Sequence, residues 1–137
     1  MKKITSLVAG LLLTVSGAFA QSKWTIDASH SNVKFSVSHL VISEVEGLFK
    51  KFDGTIDAPG KDFDKATVEF SVDVNSVFTD NEMRDGHLKG DDFFNAEKYP
   101  KMTFKSTSFK KLSGNNYELK GNLTIRDVTK PVTFKVT

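Results

Sequence analysis

Apolar and polar side chains alternate with a period of two along most of this chain, the signature of strands with one buried and one wet face. Val33, Phe35, Val37 and His39 share a face, against Asn32, Lys34, Ser36 and Ser38. Ala66, Val68, Phe70, Val72 and Val74 alternate with Thr67, Glu69, Ser71 and Asp73. Tyr117, Leu119, Gly121, Leu123 and Ile125 oppose Glu118, Lys120, Asn122, Thr124 and Arg126, and Val132, Phe134 and Val136 oppose Thr133 and Lys135. The pattern predicts strands near 23–27, 32–40, 44–57, 66–74, 101–109, 116–126 and 131–136. Alternation this clean means antiparallel sheet. Seven such strands either stack as a sandwich or curl into a barrel.

The stretch from Glu44 to Ile56 breaks phase. Val45, Gly47 and Phe49 share a face, and the rhythm slips at Lys50-Lys51 before Phe52, Gly54 and Ile56 resume it. A one-residue slip turns every later side chain over, so the lysine pair is read as a β-bulge or sharp bend. Gly47 and Gly54 on the apolar face suit a strand that curls hard, as barrel closure requires. Asp57 to Asp62 and Ser113 to Asn116 are turns by composition.

Between the strands lies a polar excursion, Arg84 to Phe94. Thr79-Asp80-Asn81-Glu82 has the spacing of a capping box, which predicts a short helix from about Asp80 to Leu88. Spacing of i, i+4 would put Met83, His87 and Leu88 on its inner side. Asp91 is a candidate cap for a further turn carrying Phe93 and Phe94. That aromatic pair suits a lid over an opening and a plug in a core equally. Trp24 is expected in the core near one end. Met83 and Met102 read as gap filling or adaptable lining.

At the N-terminus, Lys2 and Lys3, an apolar run from Leu7 to Phe19 and Ala18-Phe19-Ala20 describe a secretory signal peptide, residues 1–20, cleaved after Ala20. The run is too short for a membrane span, so no stable membrane insertion is expected. Residues 21–137 remain as one domain of a size that buries a single core. Without Lys2 and Lys3 the 19 basic residues fall to 17, matching the 17 acidic ones. A neutral chain lacks the basic face a nucleic-acid binder needs. There is no Cys, which suits an oxidising compartment and excludes thiol chemistry.

Chemistry-bearing constellations are few. Arg84-Asp85-x-His87 has the residue types of an acid–base site, and equally those of ion pairs pinning a helix to its scaffold, which is the favoured reading. His30, His39 and His87 match no zinc spacing, and His39 continues an inward register as a core or mouth position. No G-x-S-x-G or H-E-x-x-H occurs.

Read in order, Trp24-Thr25-Ile26-Asp27 with His30-Ser31, Val33 to Leu40, Val45 to Phe49 with Phe52-Asp53-Gly54, Ser76-Val77 with Thr79, Arg84-Asp85 with His87-Leu88, Asp92-Phe93-Phe94, Tyr99-Pro100, Gly121 to Ile125 and Val128 to Val132 resemble the YceI-like family. The resemblance covers essentially the whole of residues 21–137. It implies an all-β fold, an antiparallel lipocalin-like β-barrel with a short helical excursion between strands, in an exported, periplasmic protein. Members of the family continue for several strands beyond the point where this sequence stops, so C-terminal strands are expected to be missing here.

The resemblance further implies binding of polyisoprenoids or similar long-chain lipids, without chemistry and without a cofactor. A barrel of about eight strands has room for one slim ligand. On the inward faces Phe35, Val37, Phe49, Phe70, Val72, Phe94, Phe104, Leu123 and Ile125 are the expected tunnel lining. Arg84, His87 and Lys89, with His39 at the mouth, are the candidates for contact with an anionic or quinone-like head. An enzyme acting on a lipid in the same cavity, and a secreted stress-related protein whose barrel is a filled core, are the alternatives. A homodimer is left open.

Overall fold

The structure, a computed structural model, describes residues 22–39 and 43–137; the expected signal peptide lies outside them. Among the described residues, nine strands and one α-helix follow in order: β1 (Ser22–Thr25), β2 (Val33–His39), β3 (Ser43–Phe49), β4 (Phe52–Ala58), β5 (Thr67–Asp73), β6 (Val77–Phe78), α1 (Glu82–Lys89), β7 (Lys101–Ser113), β8 (Asn116–Ile125) and β9 (Val128–Val136). The strands form a six-stranded sheet, β1-β4-β5-β7-β8-β9, and a three-stranded sheet, β2-β3-β6. Every pairing is antiparallel. The architecture is the lipocalin-like all-β type, and its wall is unclosed among the described residues, because β9 and β2 do not pair.

The phase slip at Lys50-Lys51 is a sharp bend where the chain passes from one sheet to the other. The single strand expected over 44–57 is therefore two. Opposite the bend, Val74–Ser76 makes a 3₁₀ turn between β5 and β6. The two kinks are bonded together: Lys50 N–H donates to Ser76 O (3.1 Å), Lys51 N–H to Ser76 Oγ (2.9 Å) and Asp73 N–H to Lys51 O (2.9 Å). One long hairpin thus folds across itself and contributes to both sheets.

Period-two register then sets the inner face. Phe70 pairs with Phe104, and Phe104 with Leu123, while Val72 pairs with Met102 in the next row. A register shift between Ser106 and Ser108 lets β7 bring Phe109 inward after Phe104, as a bulge does. Gly47 and Gly54 sit opposite Phe35 and Phe70. A Cβ at Gly47 would overlap the Phe35 ring, and one at Gly54 would come within 2.7 Å of Phe70. Each ring therefore covers its glycine and leaves the interior beyond it clear. β9 starts at Val128, ahead of the expected 131, because Pro131 lies on an edge strand where its missing N–H costs no inner ladder bond.

Two buried clusters result. One joins Ala58, Ala66, Val68, Phe104, Phe109, Tyr117 and Leu119, with Phe63 against it. The other joins Phe49, Val72, Val74, Val77, Ala96 and Met102, with Leu88 and Phe94 against it. Trp24 departs from expectation: it is 55% exposed on edge strand β1, and its ring meets the edge of Phe63 with centroids 5.9 Å apart. No helix among the described residues is long and apolar enough to cross a membrane.

The helix departs from the capping-box reading. Its N-cap is Asn81, whose side chain accepts the Arg84 N–H at 3.0 Å. Thr79 is recruited elsewhere, as described below. The inward face is Arg84, Asp85 and Leu88, which leaves His87 exposed and Met83 77% exposed, against the expected Met83–His87–Leu88 face.

Candidate functional site

Between the two sheets lies an open cavity of about 890 Å³. Small-molecule sites span roughly 300–1,000 Å³, so this one is at the large end. Its walls come from six of the nine described strands and from the helical excursion. Phe35 and Val37 enter from β2, Phe49 from β3, Phe70 and Val72 from β5, Phe94 from the turn after α1, Phe104 from β7, and Leu123 and Ile125 from β8. These are the nine residues that the alternation and the resemblance put on the inner face, gathered around one space.

Further lining comes from Val33, Val45, Val68 and Leu119, which continue the same alternation, and from Phe134 on β9. Leu88 and Phe93 come from the helical excursion, and Met102 and Thr103 from the start of β7. Leu88 is on the inner side expected for the helix, and Phe93 belongs to the aromatic pair that reads as lid or plug. Val37, Phe93 and Phe134 line the cavity and are 56%, 55% and 44% exposed, so they mark its rim.

Among the described residues that line the cavity, Arg84 alone is charged. Its placement is fixed by Thr79, just after β6. Arg84 Nε–H donates to Thr79 Oγ1 (2.7 Å) and Nη2–H to Thr79 O (2.6 Å). Thr79 in turn donates twice to Asp85 Oδ1, from Oγ1 (2.6 Å) and from its backbone N–H (2.9 Å). Thr79 and Asp85 are both buried. A buried carboxylate is tolerable when hydrogen-bonded donors satisfy it, and here one threonine supplies two. The motif therefore braces the helix, and it also delivers one guanidinium to an otherwise apolar wall.

The other expected head-contact residues are not among the lining. His87 is on the exposed side of α1, three residues from Arg84. Lys89 is half-buried at the helix end. His39 ends β2, and its side chain lies outside those described. His30 pairs with Asp27 at 2.8 Å on the surface, and that bond holds the Asp27 carboxyl below its ordinary value. Among the described residues, no three His, Cys, Asp or Glu side chains are grouped to hold a metal.

The aromatic pair after α1 divides its duties. Phe94 packs edge-on against Phe49 at 5.9 Å within the second buried cluster. Phe93 stays at the rim. Arg126, in the β8–β9 turn, donates from Nη1 to Asp91 O (3.0 Å) and Phe93 O (2.9 Å). The alternation puts that arginine on the wet face of a strand over 116–126, whereas β8 ends at Ile125 and Arg126 opens the turn.

The YceI-like domain family matches residues 24–137. Protein YceI of Salmonella newport is 38% identical over 136 residues, which is 98% of this chain and 71% of the relative. Among solved structures, Burkholderia cenocepacia BcnA superposes with a TM-score of 0.74 at 33% identity, over 82% of this chain and 70% of that one. A polyisoprenoid binding domain from Saccharophagus degradans, implicated in plant cell wall breakdown, superposes with a TM-score of 0.63 over 84% of this chain and 66% of that one. Its 18% identity makes that a likeness of fold. Matched across nearly its whole length by family, relatives and fold, the chain belongs to the YceI-like domain family.

Proposed function

We propose that this protein is an exported lipid-binding protein that sheathes the tail of a long-chain isoprenoid or similar amphiphile, without chemistry. The observation that carries the reading is the 890 Å³ cavity, walled by aromatic and aliphatic side chains from six strands and the helical excursion. A filled core would leave no such space. The Saccharophagus neighbour, a polyisoprenoid binding domain, supports the capacity of the fold for this task.

Affinity comes from the tail. At about 0.8 kcal/mol per buried CH₂, a tail of some twenty carbons gains on the order of 16 kcal/mol gross. The cost of association, roughly 4–15 kcal/mol, leaves a useful surplus. Selectivity comes from the head, and Arg84 is its contact: Nε and Nη2 are held by Thr79, while Nη1 makes no hydrogen bond among the described residues. His87, Lys89 and His39 are secondary candidates. The apolar run and A-x-A end of residues 1–20 support export to the periplasm.

Native mass spectrometry of the protein purified gently from its own host tests the reading directly. A stoichiometric long-chain species is the expected result. An empty protein that also refuses added isoprenoids overturns it.

A further inference from the structure

The β8–β9 connection is a two-residue turn, Arg126 and Asp127. Arg126 has a φ of +58°. A two-residue hairpin turn with a left-handed first residue favours glycine there, because a Cβ is strained in that region. A local choice that goes against its turn points to a task beyond the turn.

The task is visible in what the guanidinium touches. One nitrogen, Nη1, bonds the carbonyls of Asp91 and Phe93, and the group lies 5.7 Å from the centre of the Tyr99 ring. Nε is buried and has no partner among the described residues. A buried unpaired donor disfavours the held state, and opening would return it to water. The clasp is therefore strong enough to form and not so complete that it cannot release.

The clasped segment has a fixed end and a loose tip. Phe94 is seated on Phe49, and its N–H donates to Leu88 O at 3.0 Å. Phe93 N–H reaches only Gly90 O, at 3.2 Å, and its ring lies at the rim. Between Gly90 and the anchored Phe94, the tip Asp91–Phe93 can swing when Arg126 lets go.

We infer that Arg126 is the latch of a gate whose leaf is Phe93, setting how fast a ligand enters and leaves the cavity. Arg126 is a positioning residue, acting through the Asp91 and Phe93 carbonyls. The gate rests on the lipid-binding reading, whereas the latch can be tested without any ligand.

The full chain is compared with Arg126→Asn, which suits a left-handed φ and so spares the hairpin, and with Arg126→Met, which keeps much of the side chain's length and loses every donor. Amide hydrogen exchange at Phe93 is expected to quicken about tenfold in both variants, with the anchored Phe94 amide and those of β7 and β8 unchanged, as local opening predicts. With all-trans-retinol as a fluorescent isoprenoid probe, stopped-flow uptake and release are both expected to accelerate, about fivefold, while the equilibrium Kd stays within about twofold, as for a lid that controls access only. Unchanged exchange at Phe93 overturns the latch. A loosened turn with unchanged retinol rates, or a weakened Kd with unchanged uptake, overturns the gate. Wild-type protein that takes up no retinol overturns the lipid reading and the gate with it, leaving the exchange result to decide the latch.

Discussion

The two ends of the interior use the same residue type to opposite effect. At one end Phe63, Phe109 and Tyr117 meet one another, with centroids 5.4–6.2 Å apart, and Trp24 closes on Phe63 from outside. Three rings facing one another leave no room. At the other end Phe35 and Phe70 touch other rings as closely, Phe49 at 5.5 Å and Phe52 at 6.0 Å, but each also lies over a glycine across the strand, and the space in front of it stays open. Phenylalanine fills a core where rings close on one another and walls a cavity where it settles onto a glycine.

Removing a ring from the packed end should therefore cost stability, and removing one from the open end should cost ligand. Phe109→Ala is expected to lose about 3–5 kcal/mol in denaturant unfolding, as for deletion of a buried aromatic. Retinol affinity of the fraction that remains folded should change little. If stability barely falls, the packed end is not the core it looks to be. Asp85→Ala comes next. It strands the buried Thr79 N–H and hydroxyl, at about 1–3 kcal/mol, and frees Arg84 to move. Loss of stability without any change in preference among amphiphile heads would limit the motif to bracing.

Val37→Asp sharpens the contrast from the other side. Val37 is exposed on the rim, so stability should shift by no more than about 0.5 kcal/mol, while retinol binding weakens about tenfold or more. Unaltered binding would show that the rim at β2 is not on the ligand's path. The smallest effect belongs to the surface tie beneath the packed end, where Lys111 Nζ meets Asp62 at 3.0 Å. The Lys111 hydrogen bond lowers the Asp62 pKa from its ordinary value. A carboxylate depressed in the folded state contributes stability above its unfolded pKa, and that contribution disappears as pH falls through the folded value. The small stability gap between wild type and Asp62→Asn should accordingly be present at neutral pH and close under acid titration. A gap that persists at low pH would assign it to something other than charge.

Much of this comparison was legible before any coordinates. Period two marks a face without regard to long-range contacts, so Phe35, Phe70, Phe104 and Leu123 could be placed on one wall from sequence alone. The slip at Lys50-Lys51 likewise announced the bend. The facing of α1 could not be read, because Thr79 bonds Asp85 and Arg84 on its inward face, which leaves Met83 and His87 outside. Trp24 was misjudged because a large ring suggests burial, whereas β1 is an edge with little against it. Arg126 reads as one more polar residue on the wet face of a strand over 116–126, whereas β8 ends at Ile125 and the partners of Arg126 are two backbone carbonyls more than thirty positions away.

An interior left open also couples folding to occupancy. Side chains facing 890 Å³ of space lack the dispersion contacts that a closed core provides. Any molecule that fills it, and does not bind the unfolded chain, stabilises the native state by mass action, by about 2.7 kcal/mol at a hundredfold excess over its Kd. The melting temperature of the protein then reads out its cargo: a single chain drawn from lipid-rich and lipid-poor surroundings would melt at different temperatures with no change in its covalent structure.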